Sequence, residues 1–221
     1  GALLGGRFST VEGGEGVGKS LFTANLAKAL AAHPALTRGL VVTREPGGTP
    51  TADLIRALFG KPAPGDPLSM TAEALLVSAA RAQHVAVLIQ PALSAGKWVL
   101  CDRFADSTRV YQGVLGGLAA ADLEPLIRFS TGGLTPDLTF LLDCDVATAQ
   151  ARLKRREAPR AGAIERYDDE SKGFHTRLRD AYLSLQKNEP GRIIVIDAKT
   201  APEAMSAAAL AAVEARFGRG A

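Results

Sequence analysis

Short apolar runs alternate along the chain with longer stretches whose apolar residues recur at helical spacing. The runs predict five buried strands, at residues 8–12, 40–43, 98–102, 138–143 and 193–197. The longer stretches predict helices at residues 20–31, 51–59, 71–94, 122–129, 146–156, 169–187 and 202–216, with Thr71 as an N-cap. Because strands alternate with helices, we expect an α/β fold with a five-stranded parallel sheet flanked by helices. Such sheets bind their ligands beyond the carboxyl ends of the strands.

A phosphate-binding loop directly follows the first predicted strand. Residues 13–20 read G-G-E-G-V-G-K-S and match the pattern G-x-x-x-x-G-K-[ST]. In such a loop backbone N–H groups surround a phosphate, Lys19 adds a positive charge, and the hydroxyl of Ser20 binds Mg²⁺. The residues expected to bind the triphosphate are Gly13, Gly14, Glu15, Gly16, Val17, Gly18, Lys19 and Ser20. The loop therefore predicts a protein that binds a nucleoside triphosphate with Mg²⁺.

Charged residues follow the next strands at the same expected edge of the sheet. Arg44 leaves the second strand and is suited to clamp a phosphate; the alternative is an ion pair with Glu45 on a solvated loop. Asp102 and Arg103 end the third strand, where the carboxylate is suited to Mg²⁺ and the guanidinium to a second phosphate. Asp143 ends the fourth strand, so spacing alone leaves two candidates for the metal-binding aspartate. Asp102 is preferred because Arg103 follows it.

A basic segment at about residues 154–168 lies between two predicted helices. The cationic residues in and beside it are Arg152, Lys154, Arg155, Arg156, Arg160 and Arg166. One interpretation is a solvated helix end and loop, since nearby carboxylates offset part of the charge. The other is a lid that brings an arginine to the transferred phosphoryl group and excludes water. A phosphate cradle, two arginine clamps and a lid are the parts that phosphoryl transfer between two phosphorylated ligands requires.

Composition limits the remaining interpretations. A chain of 221 residues without a Pro/Gly/Ser-rich linker predicts a single domain over residues 1–221. A net charge of +3 with 5% aromatic residues favours small anionic ligands over nucleic acid. No uninterrupted apolar run approaches about 18 residues, so we expect a cytoplasmic protein without a membrane partner. Cys101 and Cys144 are expected to be buried free thiols, and His33, His84 and His175 to be structural or surface residues.

The chain resembles thymidylate kinases over nearly its whole length. The resemblance rests on residues 11–20, 43–49 (T-R-E-P-G-G-T), 79–83 (A-A-R-A-Q) and 102–113, which include D-R-F-A-D-S-T and Y-Q-G. It implies a P-loop nucleoside monophosphate kinase that transfers the γ-phosphoryl group of ATP to thymidylate (dTMP), giving dTDP and ADP. The alternatives are a kinase of another nucleoside monophosphate and a P-loop module that binds nucleotide without catalysis.

The same resemblance implies roles for residues around the acceptor's sugar and phosphate. Glu15 contacts the 3′-hydroxyl, and Arg44 and Arg103 hold the 5′-phosphate. Arg56 lines the acceptor site near that phosphate. Tyr111 packs beneath the sugar, where a 2′-hydroxyl would collide with it.

Base recognition is implied for Arg81, Thr108 and Gln112, which face the thymine in the family. Four residues before Arg81 the family normally has a Phe that stacks on thymine, and this chain has Val77. Loss of that ring removes stacking of roughly 1 to 3 kcal/mol, by analogy with other base–aromatic contacts. Thymidylate remains the expected acceptor, and weaker binding or a shifted base preference is the alternative.

The resemblance also divides the family by the position of its catalytic arginine. Some members carry an arginine inside the P-loop, where this chain has Gly16, so the chain resembles the bacterial type with the arginine in the lid. Arg156 best matches that lid arginine, and Arg152 matches the residue that packs on adenine. The residues implied to be catalytic are Glu15, Lys19, Arg103 and Arg156. Members of the family are usually homodimers, which the resemblance implies here.

Overall fold

Five strands form one parallel sheet in the computed structural model, which describes residues 5–155 and 171–218. The strands are β1 (Phe8–Glu12), β2 (Leu40–Arg44), β3 (Trp98–Asp102), β4 (Leu138–Asp143) and β5 (Ile193–Asp197). Their order is β2-β3-β1-β4-β5, and every neighbouring pair is parallel. The predicted fold class and all five strand positions are confirmed. In this order β1, which leads into the P-loop, lies at the centre of the sheet.

Helices cover both faces of the sheet. They are α1 (Lys19–Ala31), α2 (Pro50–Gly60), α3 (Met70–His84), α4 (Gln90–Ser94), α5 (Ala105–Thr108), α6 (Ala120–Thr131), α7 (Val146–Lys154), α8 (Lys172–Asn188) and α9 (Pro202–Phe217). Two π-helical turns, Val85–Ile89 and Arg109–Val114, follow α3 and α5. The sequence did not predict α5 or the turn after it. The other helices lie within a few residues of their predicted positions.

The predicted helix 71–94 is one run of helix from α3 through the first π-turn to α4. Its expected N-cap, Thr71, is wrong: the hydroxyl of Ser69 accepts from the Ala72 N–H at 3.1 Å, so the helix begins earlier. By length and composition alone this run, Met70–Ser94, is apolar enough to cross a membrane. Half of the apolar window is buried inside the molecule, as in the core helix of a globular protein, so this feature is weak support for a membrane span.

The core is divided by the sheet into two layers, as the alternation of side chains along β3 illustrates. Trp98 and Leu100 pack with α1 and α9 on one face. Val99 and Cys101 pack on the other face with the helical run that follows α3. Both cysteines are buried and free, as predicted. Cys101 lies in β3 and Cys144 directly follows β4, and these two strands lie on either side of β1.

Candidate active site

The P-loop joins β1 to α1 and packs closely against α7. Gly16 has a positive φ of 81°, and a Cβ at this position would lie 2.4 Å from the carbonyl oxygen of Ala149. Only glycine fits this backbone without strain. Gly18 is the left-handed N-cap of α1, so the helix begins at Lys19 with its N–H groups directed toward the loop. At position 16 of this structure an arginine, like any other side chain, would clash with α7.

Lys19 is paired across the sheet edge with the aspartate that ends β3. Its Nζ lies 3.1 Å from Oδ1 of Asp102, and the lysine is buried. Asp143, the other candidate for the metal-binding position, accepts two bonds from Arg179 at 2.9 and 3.0 Å. The structure therefore brings Asp102, and not Asp143, to the P-loop lysine. Ser20, the second predicted metal ligand, is the next residue of α1 and is exposed.

Arg103 lies immediately beyond β3 in a conformation that side-chain-bearing residues seldom adopt. Its φ is 69°, and among the described residues it is the one non-glycine with a positive φ. Such strain costs on the order of 1 to 3 kcal/mol and persists where the surroundings hold it. Nη2 of Arg103 donates to Oε1 of Glu15 at 2.7 Å, and the guanidinium lies 5.2 Å from the centre of the Tyr111 ring. The structure thus brings together Glu15 of the P-loop, the predicted phosphate clamp Arg103 and the predicted sugar-packing residue Tyr111.

A buried carboxylate behind Arg103 holds this turn in place, and the sequence analysis missed it. Glu12 accepts from the Phe104 N–H at 2.8 Å, from the Ser107 hydroxyl at 2.7 Å and from the Tyr182 hydroxyl at 2.8 Å. Burial, and next the nearby charge of Asp106, raise the pKa of Glu12. An acidic residue at the end of a wholly buried strand was a signal for this site. Tyr182 carried no sequence signal, because only the packing of α8 brings it here.

Two arginines, Arg44 and Arg56, lie near each other at the carboxyl edge of the sheet. Arg44 ends β2 beside Asp102 of β3 and is exposed. Arg56 of α2 is half-buried, and burial followed by repulsion from Arg44 lowers its pKa. Neighbouring cations of this kind favour an anionic ligand. The alternative of a solvated Arg44–Glu45 pair is wrong, because Glu45 is buried and its carboxylate is bonded to Arg81 and His84.

The residues predicted to read the base lie together in the interior. Val77 and Arg81 occupy successive turns of α3 and are both buried. Nη1 of Arg81 donates to the Thr108 hydroxyl at 2.9 Å. Nε2 of Gln112 donates to a carboxylate oxygen of Glu73 at 2.8 Å, and Glu73 is a buried residue that the sequence analysis did not single out.

A separate cleft of about 230 Å³ lies on the other side of the P-loop. Its lining includes Val17, Leu21, Arg152 and Pro202. Nη2 of Arg152 donates to the Ala198 carbonyl at 2.8 Å, which fixes the guanidinium at the edge of this cleft. The arrangement is suited to a flat base stacked beside the arginine. Most of the predicted lid, with Arg156, Arg160 and Arg166, lies outside the described residues.

Comparison with known proteins decides the family. The thymidylate kinase family model matches residues 11–209. The chain belongs to the thymidylate kinase family. It is 47% identical over 214 residues to a thymidylate kinase of Chromohalobacter salexigens, covering 96% of this chain and 97% of that protein. A thymidylate kinase of Nitrobacter winogradskyi is also 47% identical, over 96% of this chain and 89% of that one.

A solved thymidylate kinase shares the fold. The crystal structure of the Ehrlichia chaffeensis enzyme superposes with a TM-score of 0.75 at 29% identity, covering 95% of this chain and 99% of that one. The similarity to thymidylate kinases therefore extends over nearly the whole molecule, including both the P-loop and the strand ends that carry Arg44 and Arg103. The resemblance found in the sequence is confirmed.

Proposed function

We propose that this protein transfers the γ-phosphoryl group of ATP to thymidylate, giving thymidine diphosphate and ADP. One observation carries the proposal: Asp102 contacts the P-loop lysine at 3.1 Å, and the next residue, Arg103, contacts the P-loop acid Glu15 at 2.7 Å. The end of β3 thus contacts the P-loop, which binds the phosphoryl donor, and leads directly into the arginine that holds the acceptor's phosphate. A module that only binds nucleotide has no use for the second half of this arrangement.

The chemistry follows from the charges at this edge. Arg44 and Arg103 bind the acceptor's 5′-phosphate, and Arg56 adds a third cation near it. Lys19 stabilises charge on the transferred phosphoryl group. Electrostatic stabilisation of this kind is usually the largest single contribution to catalysis. Arg156 supplies further positive charge from the lid. Holding both phosphates in fixed positions lowers the barrier by orienting the reacting groups.

Mg²⁺ fits the donor side of the site. Hydroxyl and carboxylate oxygens are the ligands that Mg²⁺ prefers, and Ser20 and Asp102 offer one of each beside the P-loop. We propose that these two residues hold the ion, Asp102 through water. When bound, the ion neutralises charge on the phosphates of ATP.

The test is a phosphorylation assay with a panel of acceptors. Thymidylate, deoxyuridylate, uridylate and cytidylate are each incubated with ATP and Mg²⁺, and thymidylate is expected to give the highest kcat/KM. Lys19→Ala should reduce turnover by about 100-fold or more, the loss typical of one preorganised electrostatic contact. Preference for another monophosphate would favour the alternative kinase, and unchanged turnover in the variant would refute the mechanism.

We further propose a homodimer formed through α2, α3 and α6. These three helices pack side by side, and each exposes large apolar residues, among them Leu54, Leu58, Leu75 and, at 88% exposure, Phe129. An apolar face of this kind is typical of an interface between protein chains. Light scattering should give a dimer mass for the wild type and a monomer mass for Phe129→Asp. Val42→Asp, at an exposed valine of β2, is the control and should remain dimeric.

We also propose that the enzyme works in the cytoplasm, without nucleic-acid or membrane partners. Two buried free thiols suit a reducing compartment. The small net charge of +3 favours binding of phosphorylated small molecules at the strand ends over binding of nucleic acid.

A further inference from the structure

Arg81 is held by protein groups on both sides of the acceptor site. Nε donates to Oε1 of Glu45 at 2.7 Å, Nη1 to the Thr108 hydroxyl at 2.9 Å and Nη2 to the Phe104 carbonyl at 3.1 Å. The guanidinium also lies 5.3 Å from the centre of the Phe104 ring. Every nitrogen of the side chain is therefore engaged, and the arginine is 1% exposed. Its position is fixed by the protein itself.

Glu45 also contacts the imidazole of His84. Its other oxygen, Oε2, lies 2.7 Å from Nδ1 of His84, and Nε2 of the same ring lies 2.7 Å from the Thr43 hydroxyl. A carboxylate only accepts hydrogen bonds, so Nδ1 carries the proton in this pair. Gly48 closes the loop over this ring, since a Cβ there would lie 2.4 Å from Nε2 of His84. The loop after β2 is thus anchored to α3 through one buried carboxylate.

This cluster of Glu45, Arg81 and His84 joins the two loops that carry the phosphate clamps. Glu45 follows Arg44 in the chain, and Phe104, whose carbonyl Arg81 holds, follows Arg103. The backbone of Glu45 also donates to the Asp102 carbonyl at 2.9 Å. A buried charge left without its partner is costly, so the three side chains retain one arrangement. Glu45 therefore joins the two clamp loops through its side chain as well as through its backbone.

We propose that Glu45 and His84 are positioning residues that set Arg44 and Arg103 at the separation a nucleotide 5′-phosphate requires, acting through Arg81. The proposal rests on the proposed function of the site. It assigns the cluster to recognition of the phosphate, whatever base the acceptor carries. Arg81 then serves the phosphate clamps through its three protein contacts in addition to any contact with the base.

The experiment compares the binding of thymidylate with that of thymidine, which has the same base and sugar and no phosphate. Calorimetry of the full chain measures both affinities for the wild type and for Glu45→Gln. Glutamine keeps the shape but removes the negative charge and offers one acceptor oxygen where glutamate offers two. Thymidylate affinity is expected to fall about tenfold and thymidine affinity to stay within about twofold, since one charged hydrogen-bonded contact is lost. Glu124→Gln removes a surface carboxylate paired with Arg109 and should change neither affinity.

If thermal melting shows that Glu45→Gln is not folded, two variants of His84 test the proposal instead. An asparagine at position 84 presents its amide nitrogen where Nδ1 of histidine lies, and a glutamine presents it where Nε2 lies. His84→Asn should therefore keep the contact with Glu45 and bind thymidylate as the wild type does. His84→Gln should lose that contact and weaken thymidylate binding alone.

Two results overturn the proposal: thymidylate affinity that does not change in Glu45→Gln or His84→Gln, or thymidine affinity that falls by the same factor. The second result would assign the cluster to the base or to general stability. Wild-type protein that does not bind thymidylate would instead overturn the proposed function, and the positioning role with it. The wild-type measurement thus separates the two failures.

Discussion

Nη2 of Arg103 donates to Oε1 of Glu15 over 2.7 Å, which joins the turn after β3 to the P-loop. Nη1 of the same side chain donates to the Ser107 and Tyr182 hydroxyls, each at 3.2 Å. Because a guanidinium has five N–H donors, others remain for a phosphate. The same carboxylate lies 3.4 Å from the hydroxyl of Tyr111. One acidic side chain therefore connects the proposed sites for the acceptor's phosphate and sugar.

Glu15 is predicted to recognise the 3′-hydroxyl of the acceptor. The wild type should use 2′,3′-dideoxythymidylate with a kcat/KM about tenfold below that of thymidylate, the loss expected for one hydrogen bond to a charged group. In Glu15→Ala both acceptors become poorer because Arg103 loses its partner, but their ratio should approach one. Steady-state kinetics with the two acceptors gives the ratio. A variant that keeps the wild-type preference would show that Glu15 acts only on Arg103.

Arg156 is predicted to act on the transferred phosphoryl group. The P-loop has no arginine of its own, and Gly16 is packed too closely against Ala149 to accept one. Arg156→Ala should lower kcat by about 100-fold or more with little change in the thymidylate KM, because the contact strengthens only in the transition state. Arg155→Ala, at the exposed C-cap of α7, is the matched control. If only KM changes, Arg156 is a binding residue and Arg160 or Arg166 becomes the candidate.

Val77→Phe is predicted to improve thymidylate binding. Val77 is buried one turn before Arg81, and a ring there would stack on the base. The thymidylate KM should fall about tenfold, in the range of measured base–aromatic stacking, while the ATP KM stays unchanged. Val42→Phe makes the same change at an exposed valine and should affect neither constant. An unchanged or higher thymidylate KM in Val77→Phe would identify Val77 as core packing.

Glu12 is predicted to make the stability of the fold depend on pH. Burial raises its pKa, so the folded chain holds the proton more tightly than the unfolded chain. Its stabilising contribution is complete below the ordinary glutamate value of about 4.3 and is lost as the pH rises through the raised pKa. Urea unfolding of the wild type and Glu12→Gln should therefore show the variant gaining relative stability as the pH rises over that window.

Glu124→Gln is the matched control for this measurement, and its stability relative to the wild type should change with pH in the opposite direction. A hydrogen bond from Arg109 lowers the pKa of Glu124, so its contribution is present above about pH 4.3 and is lost as the pH falls. Glu124→Gln should therefore lose stability relative to the wild type as the pH rises through that region. Stability curves of Glu12→Gln and the wild type that run parallel at every pH would contradict the role of Glu12.

The fold and the parts of the site that follow local chemistry were predicted from the sequence. The apolar runs predicted all five strands. In the interior strands β1, β3 and β4 this follows from burial on both faces, which needs continuous apolar residues, whereas the edge strands β2 and β5 have the same composition although they are partly exposed. The P-loop was recognised because only glycines permit its backbone, and Lys19 and Ser20 stand at fixed positions beside it. The short helix α5 and the π-turn at Arg109–Val114 escaped prediction, since their conformation depends on contacts such as the bonds to Glu12.

Partners distant in sequence were decided by tertiary structure alone. The sequence left Asp102 and Asp143 as alternatives, and the strands that carry them both neighbour β1. The side-chain contacts separate them, since Lys19 pairs with Asp102 and Arg179 of α8 pairs with Asp143. A solvated ion pair between Arg44 and Glu45 was plausible from the sequence alone, because the two residues are adjacent in the chain. In the fold, α3 places Arg81 and His84 against Glu45, which turns the glutamate inward. Local spacing determines the backbone and the phosphate loop, but a charged side chain finds its partner only when packing removes it from water.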